Sequence, residues 1–456
     1  MENKEVLEYI KQAFDLKSQS CYKQSIEMLY KALEVESENI EILFQLGELY
    51  YLLQNFGRAS QYLEKVLAKN ANHIESLMLL RKIYFKLDDY NKAYSYAEKC
   101  FDVQRTSDNL AEMITISAKL GKFNIIKDFV NDDLMTDNVM YIAARAYYDN
   151  KDLQSAKEML EKAYLKNPEN EDILVLLGKI YFDEDNFEKS KEIFSGFSKN
   201  SQNPEVLNYQ GLFALEDMNF IDAIKFFSKA CNINKNNARY YYNLGNAYFY
   251  NGWHDEAANA YLNAVRLSQE NLDYRYSLAY LYFEMKQFDK SQKETDYILS
   301  HNSSHNQAIV LNALLKFENK DFLGALNDLE NNVKQGCNDD FTLISLAKVY
   351  RELDLFEKAE NTIKQVIKRN PDNLNYAAQL AEIYIKEKKE TDALQVVDDI
   401  LNINENYISA YAIGAKAAYY INDLDKAKEF AQEAISLDMN YAQGYFYLSL
   451  VRAKGC

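Results

Sequence analysis

Apolar side chains recur along this chain at spacings of three and four residues, in short runs separated by polar turns. Each run reads as one amphipathic helix, and the runs come in pairs. The pair repeats with a period of about 34 residues through almost the whole chain. The clearest unit is ARYYYNLGNAYFYNGWHDEAANAYLNAVRLSQEN, residues 238–271. In its register, the eighth position of the first helix (helix A) is small: Ala13, Gly47, Ala144, Gly178, Gly211, Gly245, Ala279, Ala313, Ala347, Ala381 and Ala415. The matching position of the second helix (helix B) is also small, from Ser25, Ala59 and Ala93 to Ala393 and Ala427. Two antiparallel helices approach closely only where such side chains let ridges enter grooves. A tyrosine follows one turn later on the same face of helix A, as at Tyr50, Tyr84, Tyr147, Tyr181, Tyr248, Tyr282, Tyr350 and Tyr384. Pro168, Pro204 and Pro371 lie at unit junctions, where a missing N–H does no harm.

On these residues the chain resembles the tetratricopeptide repeat (TPR) family. The resemblance covers about thirteen units, from near residue 6 to residue 441, and a last helix. It implies an all-α fold, an α-solenoid of helix-turn-helix repeats in a right-handed superhelix. Three side chains depart from the pattern. Arg81 stands where Ala or Gly is expected, Lys316 where Tyr is expected, and Arg275 where a large apolar residue is usual. The fourth unit, about 108–136, is short and lacks the small residues. The expected organisation is an N-terminal array over 6–136, a C-terminal array over 137–441, and a capping helix over 442–456. That last segment carries Tyr, Phe and Leu on nearly every side, which invites self-association into a homo-oligomer.

Composition agrees with helices joined by tight turns: 3 Pro and 13 Gly in 456 residues, with 37 Tyr and 24 Phe to pack. The net charge of −17 argues against a nucleic-acid partner, which needs a basic face for phosphates. It argues equally against anionic lipid and favours partners with basic segments. No stretch reaches the length of a membrane span, and MENKEVLEYI does not begin as a leader, so a cytoplasmic location is the expectation. Cys21, Cys100, Cys231, Cys337 and Cys456 are scattered without a CxxC and read as reduced thiols.

Motifs that carry chemistry are missing from the sequence. It holds no glycine-rich phosphate loop, GxSxG, HExxH or EF-hand loop. His301 and His305 have metal-ligand spacing on a helix but no third ligand, and they fall at a unit junction. His254 takes the place of the aromatic that ends the turn between helices A and B. Carboxylate pairs such as Asp398–Asp399 read as solvated surface. The expectation is therefore no enzyme, no cofactor and no metal.

The resemblance further implies that helix A lines an inner, concave surface. Mapped here, it places Arg239, Tyr242, Asn243, Asn246, Phe249, Tyr250, Tyr276, Tyr280 and Phe283 together, with a second set of Tyr141, Arg145, Tyr148 and Lys179. Phenols offer apolar area with a polar tip, amides bond peptide backbone in both directions, and arginine pairs with carboxylate. A groove for an extended peptide follows. The Lys/Asn/Arg clamp that some TPR domains use on acidic C-termini is absent: Tyr242, Ser277 and Gln307 occupy its places beside Asn246. The leading expectation is a scaffold or adaptor binding a protein or peptide. The alternative is a self-associating structural component of a secretion, pilus or envelope assembly.

Overall fold

The computed structural model describes residues 4–454, and Cys456 lies outside them. Among the described residues there are 27 helices and no strand. Helices alternate as A and B, each B packing antiparallel on the A before it, as Ala238–Tyr250 does with His254–Leu267. The chain divides into two compact units, residues 1–210 and 211–456.

The turn between A and B is built the same way in most hairpins. The residue before the helix-B cap enters the left-handed region, as at Gln54, Asp88, Lys151, Asp185, Met218 and Lys320. The next residue, Asn or Asp, caps helix B: the Asn55 and Asp89 side chains accept from the N–H groups of Arg58 and Lys92. The Asn55 N–H in turn donates to the Tyr50 carbonyl at 2.8 Å, closing a Schellman-type turn. An aromatic after the cap then packs on the last turn of helix A. Ring centroids are 5.9 Å apart for Tyr51–Phe56, 5.5 Å for Phe85–Tyr90 and 5.2 Å for Phe182–Phe187.

The small positions do what their size predicts. Where helix B carries serine there, its hydroxyl donates to the carbonyl of the small helix-A residue: Ser25 to Ala13 at 2.7 Å, Ser190 to Gly178 and Ser291 to Ala279 at 2.8 Å. The tyrosine one turn on is held by a cation from helix B. Arg58, Lys92, Lys290 and Lys358 lie 5.4, 4.8, 5.2 and 5.2 Å from the ring centres of Tyr50, Tyr84, Tyr282 and Tyr350.

The three departures each find a carboxylate. Arg81, buried, stands 3.5 Å from Glu112, with Nε and Nη1 lacking partners. Lys316 meets Asp328 at 2.6 Å. Arg275 pairs with Glu294 and lies 3.7 Å from the centre of the Tyr297 ring.

The fourth unit is Ser107–Lys119 followed by a six-residue helix B, Asn124–Phe129. One apolar cluster nonetheless runs from Val6 to Ile180 through it, with Ile114 and Ile126 fully buried. In the second unit the last described helix, Ala442–Lys454, buries Tyr447, Leu448 and Val451 and leaves Tyr445 and Phe446 about half exposed.

Candidate peptide-binding face

Two helix-A elements of the second unit, Ala238–Tyr250 and Leu272–Glu284, start on matched caps. Asn237 and Asn271 accept from backbone N–H groups at the first turns, which fixes where the following side chains emerge. Gly245 decides the depth of the site. A Cβ there would lie 2.5 Å from the Tyr261 ring, so only glycine lets the two helices close over that tyrosine. The Tyr261 hydroxyl then reaches past helix A and donates to Asn246 Oδ1 at 2.7 Å.

Around this pair the rings assemble. Tyr242 stacks on Tyr274 with centroids 4.7 Å apart and stands 5.9 Å from Tyr261. The Ser277 hydroxyl approaches the Tyr242 oxygen at 3.5 Å. Phe249 lies 6.4 Å from Tyr280, and Tyr280 6.2 Å from Tyr276. Together they enclose a pocket of about 210 Å³. Tyr242, Asn246, Phe249 and Tyr250 line one side, Tyr276, Ser277 and Tyr280 the other, and Tyr261 the floor. Burial drives the Tyr261 phenol well above its ordinary pKa. Burial, then the neighbouring Tyr280 and Asp339, does the same to Tyr276. Burial and the Glu284 carboxylate hold Tyr280 up at about 12. These phenols stay neutral hydrogen-bonding groups across the physiological range.

Three of the residues expected here lie elsewhere. Asn243 is buried within the hairpin. Arg239 stands 6.0 Å from the Tyr240 ring, outside the lining, with its charge felt at Tyr274. Phe283 packs on Phe288 at 5.6 Å, the same turn contact seen in other hairpins, and Phe249 makes its counterpart with His254 at 5.8 Å. The second set divides. Tyr141 and Arg145 line a pocket of about 470 Å³ in the first unit, beside Lys119 and Phe123 of the short fourth hairpin. Tyr148 donates to Asp183 at 2.6 Å and lies under Lys179, which is 3.5 Å from Glu205.

Sequence reasoning missed Tyr261, a helix-B residue, and took Ser277 only as an unfilled place of the absent clamp. It also missed Phe341, two hairpins on, whose ring meets Tyr280 edge-on at 6.3 Å. Lys348, on the same helix as Phe341, is held below its ordinary pKa by burial and by Arg351, against the pull of Glu284 and Glu318. Further along, helix-A charges pair with each other: Glu352 with Lys386 at 2.6 Å and Glu382 with Lys416 at 2.7 Å.

The histidine pair does not converge. His301 stacks on Tyr297 at 4.1 Å, whereas His305 caps the next helix through Ala308 N–H. Among the described residues no group of three or more His, Cys, Asp or Glu is arranged to hold a metal ion, and no helix is long and apolar enough to cross a membrane.

Models of the tetratricopeptide repeat match residues 18–83, 147–211 and 355–419, and another matches 74–107. A further TPR repeat model matches 219–252 and 245–286. A TPR repeat-containing protein of Methanocaldococcus jannaschii is 24% identical over 243 residues, 53% of this chain and 40% of its own length. The chain spans less than half the length of the curated relatives it matches. A tetratricopeptide repeat protein from Parabacteroides merdae aligns in structure at 18% identity and a TM-score of 0.47, over 55% of this chain and 100% of its own. A chain of the APC/C hetero-tetramer Cut9–Hcn1 aligns at 13% identity and a TM-score of 0.46, over 92% of this chain and 98% of its own.

Proposed function

We propose that this chain, which belongs to the tetratricopeptide repeat family, is a scaffold or adaptor that holds an extended segment of a protein partner against its helix-A face. Tetratricopeptide repeats generally mediate protein–protein interaction and are typically non-catalytic, so binding is the activity to explain. The observation that carries the reading is the convergence of Tyr242, Asn246, Phe249, Tyr250, Tyr276 and Tyr280 on one pocket between successive hairpins. Rigid aromatic anchors with polar tips lose little conformational entropy on binding and are the residues that dominate interfaces. Tyr250, 60% exposed, is the rim across which a peptide would enter. Arg239, just outside, and the paired charges beyond Glu352 supply polar contacts along the same face.

A photo-crosslinking residue at Tyr250 tests this in the source cell. Crosslinking to a protein partner from position 250, and not from Leu323 on helix B, is the expected result. Equal crosslinking from both positions would remove the preference for the helix-A face.

The competing reading is self-association as a structural part of a larger assembly. The exposed Tyr445 and Phe446 on the helix Ala442–Lys454 favour it. Sedimentation at several concentrations decides: a monomer at every concentration eliminates that reading, and a concentration-dependent dimer lost in Phe446→Ser supports it.

A further inference from the structure

We infer that the aromatic pocket between Ala238–Tyr250 and Leu272–Glu284 accepts a cationic side chain, the guanidinium of arginine or the ammonium of lysine, from the bound segment. The inference rests on the peptide-binding reading and names what enters the pocket. Its lining is made of aromatic rings with their phenol hydroxyls, one amide and one serine hydroxyl, with no charged side chain. Ring faces carry negative partial charge and attract cations, more strongly where water is excluded.

The rest of the molecule shows the same preference already satisfied. Helix-A tyrosines elsewhere carry a cation of their own, as Tyr84 carries Lys92 and Tyr282 carries Lys290. The charges that flank the pocket add to the preference. Glu284 acts on Tyr280, Asp339 on Tyr276 and Asp273 on Tyr274, each raising its phenol. The opposing cations lie off the lining: Arg239 acts at Tyr274, and Lys348 shares its field with Glu284 and Glu318. The chain's net charge of −17 draws basic segments toward it over longer distances. A carboxylate would find only neutral donors in the lining, no cation to pair with, and the carboxylates Glu284 and Asp339 acting on the same rings. The volume of about 210 Å³ suits one side-chain head rather than a folded element.

The test uses the full chain and short glycine–alanine peptides bearing one central arginine, lysine, citrulline or leucine, titrated by saturation-transfer difference NMR. The arginine and lysine peptides should bind about tenfold more tightly than the citrulline peptide, which keeps the shape and loses the charge. Tetramethylammonium chloride should compete where sodium chloride at equal ionic strength does not. Tyr280→Leu should weaken the arginine peptide about fivefold or more. The exposed Glu284→Gln, which leaves packing untouched, should weaken it less but measurably. Binding of the leucine or citrulline peptide as tightly as the arginine peptide overturns the cation inference while leaving the groove standing. Failure of all four peptides to bind overturns it too, and crosslinking from position 250 then judges the groove separately.

Discussion

The Tyr261 hydroxyl donates to Asn246 Oδ1 at 2.7 Å, tying a helix-B packing residue to the amide that lines the pocket. The bond turns one oxygen of Asn246 inward and fixes which way its N–H groups face. Tyr261→Phe keeps the ring against Gly245 and removes only that bond. It should cost about 1 kcal/mol, read as a lower urea midpoint with unchanged helix content. Peptide binding should weaken alongside, because the amide is no longer held. An unchanged midpoint would show that the bond contributes nothing beyond packing.

Gly245→Ala tests the same contact from the other side. The added methyl meets the Tyr261 ring at a distance no real contact tolerates. Displacing the ring should destabilise by roughly 1–3 kcal/mol, and the hydrogen bond to Asn246 should break with it. Thermal denaturation of the two variants and their double variant would show strong non-additivity, since both act through one side chain.

Arg81 sits buried with two donors lacking partners and a carboxylate 3.5 Å away that is itself half exposed. Such a charge costs desolvation that its pair repays poorly. Arg81→Met should therefore leave stability unchanged or raise the unfolding midpoint, whereas Glu112→Ala should lower it. A large drop with Arg81→Met would mean that the pair is the true tie between the third and fourth hairpins.

Met218 holds a left-handed backbone with φ of 56° and a side chain 76% exposed. A side chain with a Cβ is strained there and glycine is not. Met218→Gly should stabilise by about 1 kcal/mol, measured by denaturant midpoint. A loss would show that Met218 makes contacts worth more than the strain.

Burial pushes the Cys100 thiol up to about 11 and the Cys231 thiol up to about 12. Both should resist disulfide-exchange reagents at pH 8 in the folded chain and react at once in denaturant, because the thiolate is the nucleophile. Carboxylates behave oppositely: a hydrogen bond from Tyr350 and the charge of Lys358 hold Glu330 below its usual range, and Lys364 and Tyr384 do so for Glu360. Groups with lowered folded pKa values stabilise above the unfolded value of about 4.3 and lose that contribution as pH falls through the folded one. The midpoint should thus fall below about pH 4.5, and less so in the Glu330→Gln/Glu360→Gln variant.

The period made the hairpins legible because close crossings demand Gly, Ala or Ser at fixed depths, and those residues recur. The resemblance to tetratricopeptide repeats put Tyr242, Asn246, Tyr276 and Tyr280 on one face of helix A, and all four line the same pocket. Tyr261 was not legible, as a helix-B aromatic reaches the A face only where glycine opens the way. Phe341 was not legible either, because its contact with Tyr280 depends on how hairpins two apart approach one another. Phe283 misled because a turn-packing ring and a pocket ring occupy nearly the same position of helix A. Asn243 misled differently: it is buried and does not line the pocket.

The most direct measurement selects peptides from a random library on the full chain and titrates them against wild type and the Tyr242→Ala/Tyr280→Ala double variant. An affinity loss of about a hundredfold, with helix content unchanged, is the result this structure predicts. Peptides that bind the double variant as tightly as wild type would contradict it.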